Sequence, residues 1–239
     1  MIKPDIIVSW PRNCDYPLWR QFIHDNREKF NLVIVVFTET NVGENYREFV
    51  KKAMAKDWVL FAENPEVPGG EDWRNVAVNH ALIQSYNAEW VWFTEQDFFP
   101  KEGFWEMLQT YESAGVKAIG VKQGDRLHPC CLFLKREVLS AIKKDFAAKP
   151  PEYDHFGNIQ KQLEQRQDPI GVIGTDKWQH LNGLSHNMRL VSDGAMPNYD
   201  PEEFNEYVQK CLKVTVPLDP RFVNWASTYF QRAGIKPLS

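Results

Sequence analysis

Short runs that are apolar at every position alternate along the chain with segments whose apolar residues recur every three or four positions. The runs DIIVSW (5–10) and LVIVVF (32–37) are brief, rich in β-branched residues and leave no face for water. That is the pattern of strands covered on both sides. Between them, DYPLWRQFIHDNREKF places Leu18, Trp19, Phe22 and Ile23 at helical spacing, with Asp15 as a cap and Pro17 in the first turn. Tyr46, Phe49, Val50, Ala53 and Met54 make a second helical stripe, and DWVLFAE predicts a third strand. The Pro/Gly-rich NPEVPGG must be irregular. It leads into EDWRNVAVNHALIQSYN, a helix with Trp73, Val76, Ala77 and Ala81 on one face, and then into the apolar run that opens WVWFTEQDFFP (90–100), a fourth strand.

This β-α-β-α-β-α-β order predicts an α/β protein: three layers, α/β/α, around a mostly parallel sheet. The second half is less regular. VKAIGV and PCCLFL read as strands, a helix follows over roughly 136–147, and another starts near Asp154. IGVIG is a further strand candidate, TDKWQHLNGLSHN is polar, and Asp200-Pro201 and Asp219-Pro220 each mark a helix start. With no repeat, low-complexity segment or linker, residues 1–239 are expected to form a single domain.

Composition narrows the classes. The 239 residues, 43% of them hydrophobic, suffice for a large core. A net charge of −4 gives no global basic field for nucleic acid, and the pairs Lys51-Lys52, Lys135-Arg136 and Lys143-Lys144 read as solvated helix faces. Cys14, Cys130, Cys131 and Cys211 fit neither a zinc knuckle nor a disulfide framework, so they are expected to be reduced, mostly buried thiols. The longest aliphatic run falls far short of the ~20 residues of a membrane helix. With no charged-then-apolar leader at the start, a cytoplasmic protein is expected.

In open parallel sheets ligands bind at the carboxyl ends of the strands. Ser9 to Arg12, Thr38 to Thr40, and Glu95 to Asp97 end three of the predicted strands there. Glu95 and Asp97, at i and i+2 of a strand, would point the same way, and hard cations such as Mg²⁺ or Mn²⁺ take one or two carboxylates plus substrate oxygens. Neither GxxxxGK[ST] nor GxGxxG follows the first strand, and there is no Gly-x-Ser-x-Gly elbow.

The motifs, in their order, resemble those of GT-A-fold glycosyltransferases, in particular the family-2-like enzymes that use nucleotide-diphosphate sugars. DIIVSWPRNCDYPLWRQFI is similar to that family's first strand and helix, and LVIVVFTETN to its second strand with an acidic nucleotide contact. DWRNVAVNHAL resembles its Arg-Asn helix, WVWFTEQDFF stands where it has Asp-x-Asp, HPCCLFLKREVL resembles its acceptor-side strand, and WQHLNGLSHN its late His segment. The resemblance spans roughly residues 5 to 190. It implies a nucleotide-diphospho-sugar transferase fold, with about 1–98 binding the nucleotide sugar and about 99–239 binding the acceptor.

The resemblance also implies roles. Asp97 and Glu95 would ligate Mn²⁺ or Mg²⁺ with His180, for which His186 is the competitor. Pro11, Arg12, Glu39 and Arg74 would contact the nucleotide or diphosphate, as would Glu95 if its longer arm reaches the ribose. Asp154 would be the catalytic base of an inverting transfer from a nucleotide sugar, UDP-sugar first, to an acceptor hydroxyl. Here Glu stands for the first Asp of Asp-x-Asp, and Asp154-His155 for the family's Glu-Asp pair. Plainer roles exist: Asp154 as an N-cap, Arg74 paired with Asp72 or Glu71. A nucleotidyltransferase would want a glycine-rich first loop, and SWPRNCDYP has no glycine. The rival from another class is a nucleotide-sugar or glycan-binding module without turnover. Among acceptors (glycan, small molecule or DNA), a hydroxylated DNA base would account for the basic pairs.

Overall fold

The computed structural model describes residues 2–10, 15–37, 44–62, 73–85, 87–149, 155–181, 184, 187, 188, 190, 195 and 200–235. The fully apolar runs are the centre of the sheet. Strands β1 (Asp5–Trp10), β2 (Val33–Phe37), β3 (Val59–Ala62) and β4 (Trp90–Glu95) pair in parallel, with Val8 opposite both Val35 and Thr94. Three more strands complete this sheet: β6 (Ala118–Gln123), β7 (Arg126–Lys135) and β8 (Ile170–Val172). Their order is β3-β2-β1-β4-β7-β6-β8, and β7 alone runs against its neighbours. The short strands β5 (Phe98–Pro100) and β9 (Trp178–His180) form a separate antiparallel ribbon.

Alternation along the strands feeds two cores. Ile6, Val8, Trp10, Val35 and Trp92 face helices α1 (Pro17–Asp25), α2 (Glu44–Ala53), α4 (Phe104–Ser113), α7 (Pro201–Leu212) and α8 (Pro220–Ala233). Ile7, Ile34, Val36, Val91 and Phe93 face α3 (Trp73–Gln84), α5 (Arg136–Ala141) and α6 (Gly157–Gln165). This is the expected three-layer α/β/α arrangement around a mostly parallel sheet. Asp200 and Asp219 cap α7 and α8, each accepting from the backbone N–H of Glu202 or Arg221 two residues on.

Several local expectations are corrected. Asp15 does not cap α1; Tyr16 holds that position, and Asp15 is buried against Arg20, which donates from Nε at 2.9 Å and Nη2 at 2.7 Å and also reaches the Pro217 carbonyl at 2.6 Å. Of the described α3 side chains, Ala77, Val78, Ala81 and Leu82 are buried and Val76 is only half-buried, while the side chain of Trp73 lies outside the described residues. The helix expected to 147 stops at Ala141. Beyond it the backbone bonds to side chains: Lys143 N–H to Gln162 Oε1 at 2.7 Å and Phe146 N–H to Asn75 Oδ1 at 2.8 Å. The helix expected from Asp154 starts at Gly157, and its N-cap is Phe156, so the N-cap role for Asp154 falls away. Arg136 is no solvated helix face either, since its guanidinium bonds to Ser85 Oγ at 2.9 Å and the Ala88 carbonyl at 3.1 Å.

Asp15 and Arg20 tie α1 to the segment before α8, with side chains only 0% and 2% exposed. Removing one partner leaves an uncompensated buried charge, which typically costs about 3–5 kcal/mol. Asp15→Ala is therefore expected to lower the urea midpoint by that order of stability. A loss under about 1 kcal/mol would mean that Arg20 is rehydrated easily.

Candidate functional site

The apolar run of β4 ends at Glu95, and the chain then turns at Gln96 and Asp97 before β5 begins. The two acids are thus not consecutive outward positions of one strand, as expected; a turn separates them. Aromatic packing fixes this corner. Trp92 stacks on Phe133 at 4.9 Å and meets Phe98 edge-on at 6.2 Å, while Phe98 stacks on Trp178 of β9 at 5.8 Å. The ribbon register puts Phe98 opposite His180, and the Leu181 N–H donates to the Asp97 carbonyl at 3.0 Å.

That register delivers His180 to the two acids across 83 residues of sequence. Its Nε2 lies 3.1 Å from Asp97 Oδ1 and 3.5 Å from Glu95 Oε2, with side-chain exposures of 6% for His180, 8% for Asp97 and 21% for Glu95. One ligand atom from each of the three fits within a 4.8 Å span, so the group could hold a metal ion. Burial pushes the Asp97 carboxyl up, the His180 hydrogen bond pulls it down, and the Glu95 charge adds to the rise. At His180 burial opposes the imidazolium, but hydrogen bonds and charge from Asp97 and Glu95 outweigh it and carry the ring up to about 9.

Glu95 also lines a narrow recess, with room for no more than about one water molecule, on the α3 and α6 side of the sheet. Ile7, Val78, Phe93 and Phe156 give it apolar walls, and Ser9 and Thr94 add hydroxyls. Phe156 holds the left-handed conformation at φ 67°, which is unfavourable for a bulky residue, while its ring is buried in that wall. The arrangement is a buried acid–imidazole cluster whose more exposed carboxylate, Glu95, borders a small, mostly apolar recess at the carboxyl ends of β1 and β4.

Of the residues singled out in the sequence, the structure brings Glu95, Asp97 and His180 together. Arg74 is the second residue of α3, whose start follows β3 on the same sheet edge. Pro11, Arg12, Glu39, Asp154 and His186 lie outside the described residues. Trp10 is fully buried against Tyr16 and Trp19 and is a packing residue. The β5–β9 ribbon, Phe156 and the half-buried His128 and buried Cys130 beside His180 were not anticipated. The signal for the last two was present in RLHPCCLFL, where Pro129 interrupts an otherwise regular strand.

No protein-family model and no curated protein matches the chain. Among solved structures, 4-diphosphocytidyl-2C-methyl-D-erythritol synthase from Anaerococcus prevotii superposes with a TM-score of 0.49 at 10% identity, covering 74% of this chain and 89% of that one. A candidate nucleotide-diphospho-sugar transferase from Desulfovibrio desulfuricans gives 0.44 at 14% identity, with 72% and 80% covered. A mycobacterial protein gives 0.48 at 14%, with 98% and 76% covered. These scores and identities carry no assignment of activity, which rests on the side chains themselves. Among the described residues no helix is long and apolar enough to cross a membrane.

In metal-free protein the His180 ring is expected to titrate near 9, followed by its ring proton shifts in NMR. Because the folded value is raised, the stabilisation is complete below about 6.5 and is lost as pH rises through about 9. Asp97→Asn should bring the midpoint down. A wild-type midpoint near 6.5 would show that the cluster is open in solution.

Proposed function

We propose that the protein is a metal-dependent glycosyltransferase that moves a sugar from a nucleotide-diphosphate donor, a UDP-sugar first, to an acceptor hydroxyl. The observation that carries this reading is the convergence of Glu95, Asp97 and His180 beside the recess at the carboxyl edge of parallel strands. Two carboxylates and an imidazole suit a divalent cation, Mn²⁺ or Mg²⁺, that keeps positions open for phosphate oxygens. A bound cation would supply positive charge to the diphosphate as it leaves.

The residues of the chain do the rest. Asp97 is the anchoring ligand, held in line by the Phe98–His180 register, and His180 is kept beside it by the ribbon. Glu95, the most exposed of the three, faces both the ion position and the recess and can turn between ion, bound water and ribose. Pro11, Arg12, Glu39 and Arg74 are assigned to the nucleotide and diphosphate. Asp154, three residues before α6, is assigned as the base that takes the acceptor proton, which would give inversion. The acceptor is a glycan, a small molecule or a hydroxylated base in DNA.

Thermal melting with Mn²⁺, UDP, GDP and a panel of nucleotide sugars tests the donor site. A ligand at 100 times its Kd stabilises the fold by about 2.7 kcal/mol. One nucleotide is expected to raise Tm only when Mn²⁺ is present, and Asp97→Ala to abolish the rise. If no nucleotide or metal moves Tm, the transferase reading fails. A shift without sugar release or transfer when candidate acceptors are added would identify a binding module. With an acceptor in hand, Asp154→Asn should lower kcat by about 10²–10⁴-fold while leaving the nucleotide-induced shift in place.

A further inference from the structure

Strand β7 leaves the regular ladder beside this cluster. Gly120 of β6 pairs with Leu132 and Lys122 with Leu127, so one residue of β6, Val121, faces four of β7, His128 to Cys131. On its other side β7 stays paired to β4, with Cys131 opposite Thr94 and the Thr94 hydroxyl donating to the Cys130 carbonyl at 3.0 Å. Such an irregularity re-aims side chains out of the pleat. Gly120 makes room for it: a Cβ there would sit 2.9 Å from Leu127 Cδ2 and 3.3 Å from the Cys131 carbonyl oxygen. Within the bulge the Cys130 N–H donates to His128 Nδ1 at 3.1 Å, which ties the imidazole to the bulged backbone.

The bulge carries His128 and Cys130 to His180. The two imidazole rings meet edge-to-face at 5.1 Å, and one donor atom from each of His128, Cys130 and His180 fits within a 4.8 Å span. His180 therefore belongs to two donor sets of opposite chemical character. One is carboxylate-rich, with Glu95 and Asp97; the other offers a second nitrogen and a sulfur. Soft and borderline cations prefer the latter, and Zn²⁺ commonly takes three protein ligands of this kind with a fourth position left open.

We propose that His128, Cys130 and His180 form a second cation site, selective for Zn²⁺-like ions, which competes with the carboxylate site by withdrawing the histidine they share. An ion about 2.0–2.3 Å from each donor requires the trio to close by roughly an ångström, which side-chain rotation at the half-buried His128 can supply. Binding exchanges the Cys130 thiol proton, released to solvent, for a metal–thiolate bond. The competitive half of this proposal rests on the donor-metal reading above; the Zn²⁺ site does not.

The test uses the purified full chain, stripped of metal, titrated with Co²⁺ as a spectroscopic substitute and with Zn²⁺. Wild type and Asp97→Ala are both expected to show a thiolate-to-Co²⁺ charge-transfer band that Zn²⁺ bleaches. Cys130→Ser should lose the band, and His128→Gln, at a half-buried position, should weaken Zn²⁺ binding by about tenfold or more. Mn²⁺ bound to wild type, read by electron paramagnetic resonance, should be released by Zn²⁺ but retained in Cys130→Ser. A wild-type Co²⁺ complex without the band overturns the second site whatever Mn²⁺ does. Unchanged Zn²⁺ affinity in His128→Gln and Cys130→Ser does the same. Simultaneous binding of Zn²⁺ and Mn²⁺ overturns the shared histidine. A band with no Mn²⁺ binding at all leaves the Zn²⁺ site standing and removes the donor-metal reading instead.

Discussion

A carboxylate taken out of water needs a counter-charge or a proton, because its solvation is worth more than most single contacts in a protein. Among the described residues, His180 meets this condition for Asp97. The pairing brings two distant parts of the chain into one register: β4 must end at Glu95, the chain must turn at once, and β9 must lie against β5 with His180 opposite Phe98. The aromatic packing of Trp92, Phe98 and Trp178 holds that corner rigid enough for the pairing to persist. The same burial that makes the partner obligatory makes the cluster a strong host for positive charge.

The sheet was legible because its strands are buried on both faces and therefore apolar without interruption. β1, β2 and β4 fall where DIIVSW, LVIVVF and the opening of WVWFTEQDFFP place them. The caps Asp200 and Asp219 were equally plain, since an acid before proline has few other uses at that position. Asp15 shows the limit of such local rules: the same residue type, one position earlier relative to its proline, was drawn away by the guanidinium of Arg20, five residues on, which is buried against the distant Pro217 carbonyl. The truncated α5 fails for a related reason, because Asn75 and Gln162 offer side-chain partners to backbone groups that would otherwise have continued the helix.

The site was half legible. Glu95 and Asp97 stood out because two acids after a buried strand conflict with their surroundings. The relation of His180 to them followed from the family resemblance, and the ribbon that realises it, three residues long on each side, is too short to leave a periodic signal. His128 and Cys130 escaped notice because cysteine spacing finds metal sites only when the ligands are close in sequence. Here the partner is some fifty residues away, and a register slip brings the pair into place.

The hairpin between β6 and β7 turns on two residues, Gly124 at φ 60° and Asp125, with Gln123 opposite Arg126. Gln160 of α6 clamps it, accepting from the Leu127 N–H at 2.7 Å and donating to the Asp125 carbonyl at 2.8 Å. Since β6 runs with the parallel strands, this tip stands on the same edge as the cluster, just ahead of the bulge in the chain. A length change at the tip would move the rim of the site and leave the seven-stranded scaffold untouched. The hairpin is thus a natural graft point at which an exchanged loop could reshape the partner the molecule accepts without disturbing its chemistry.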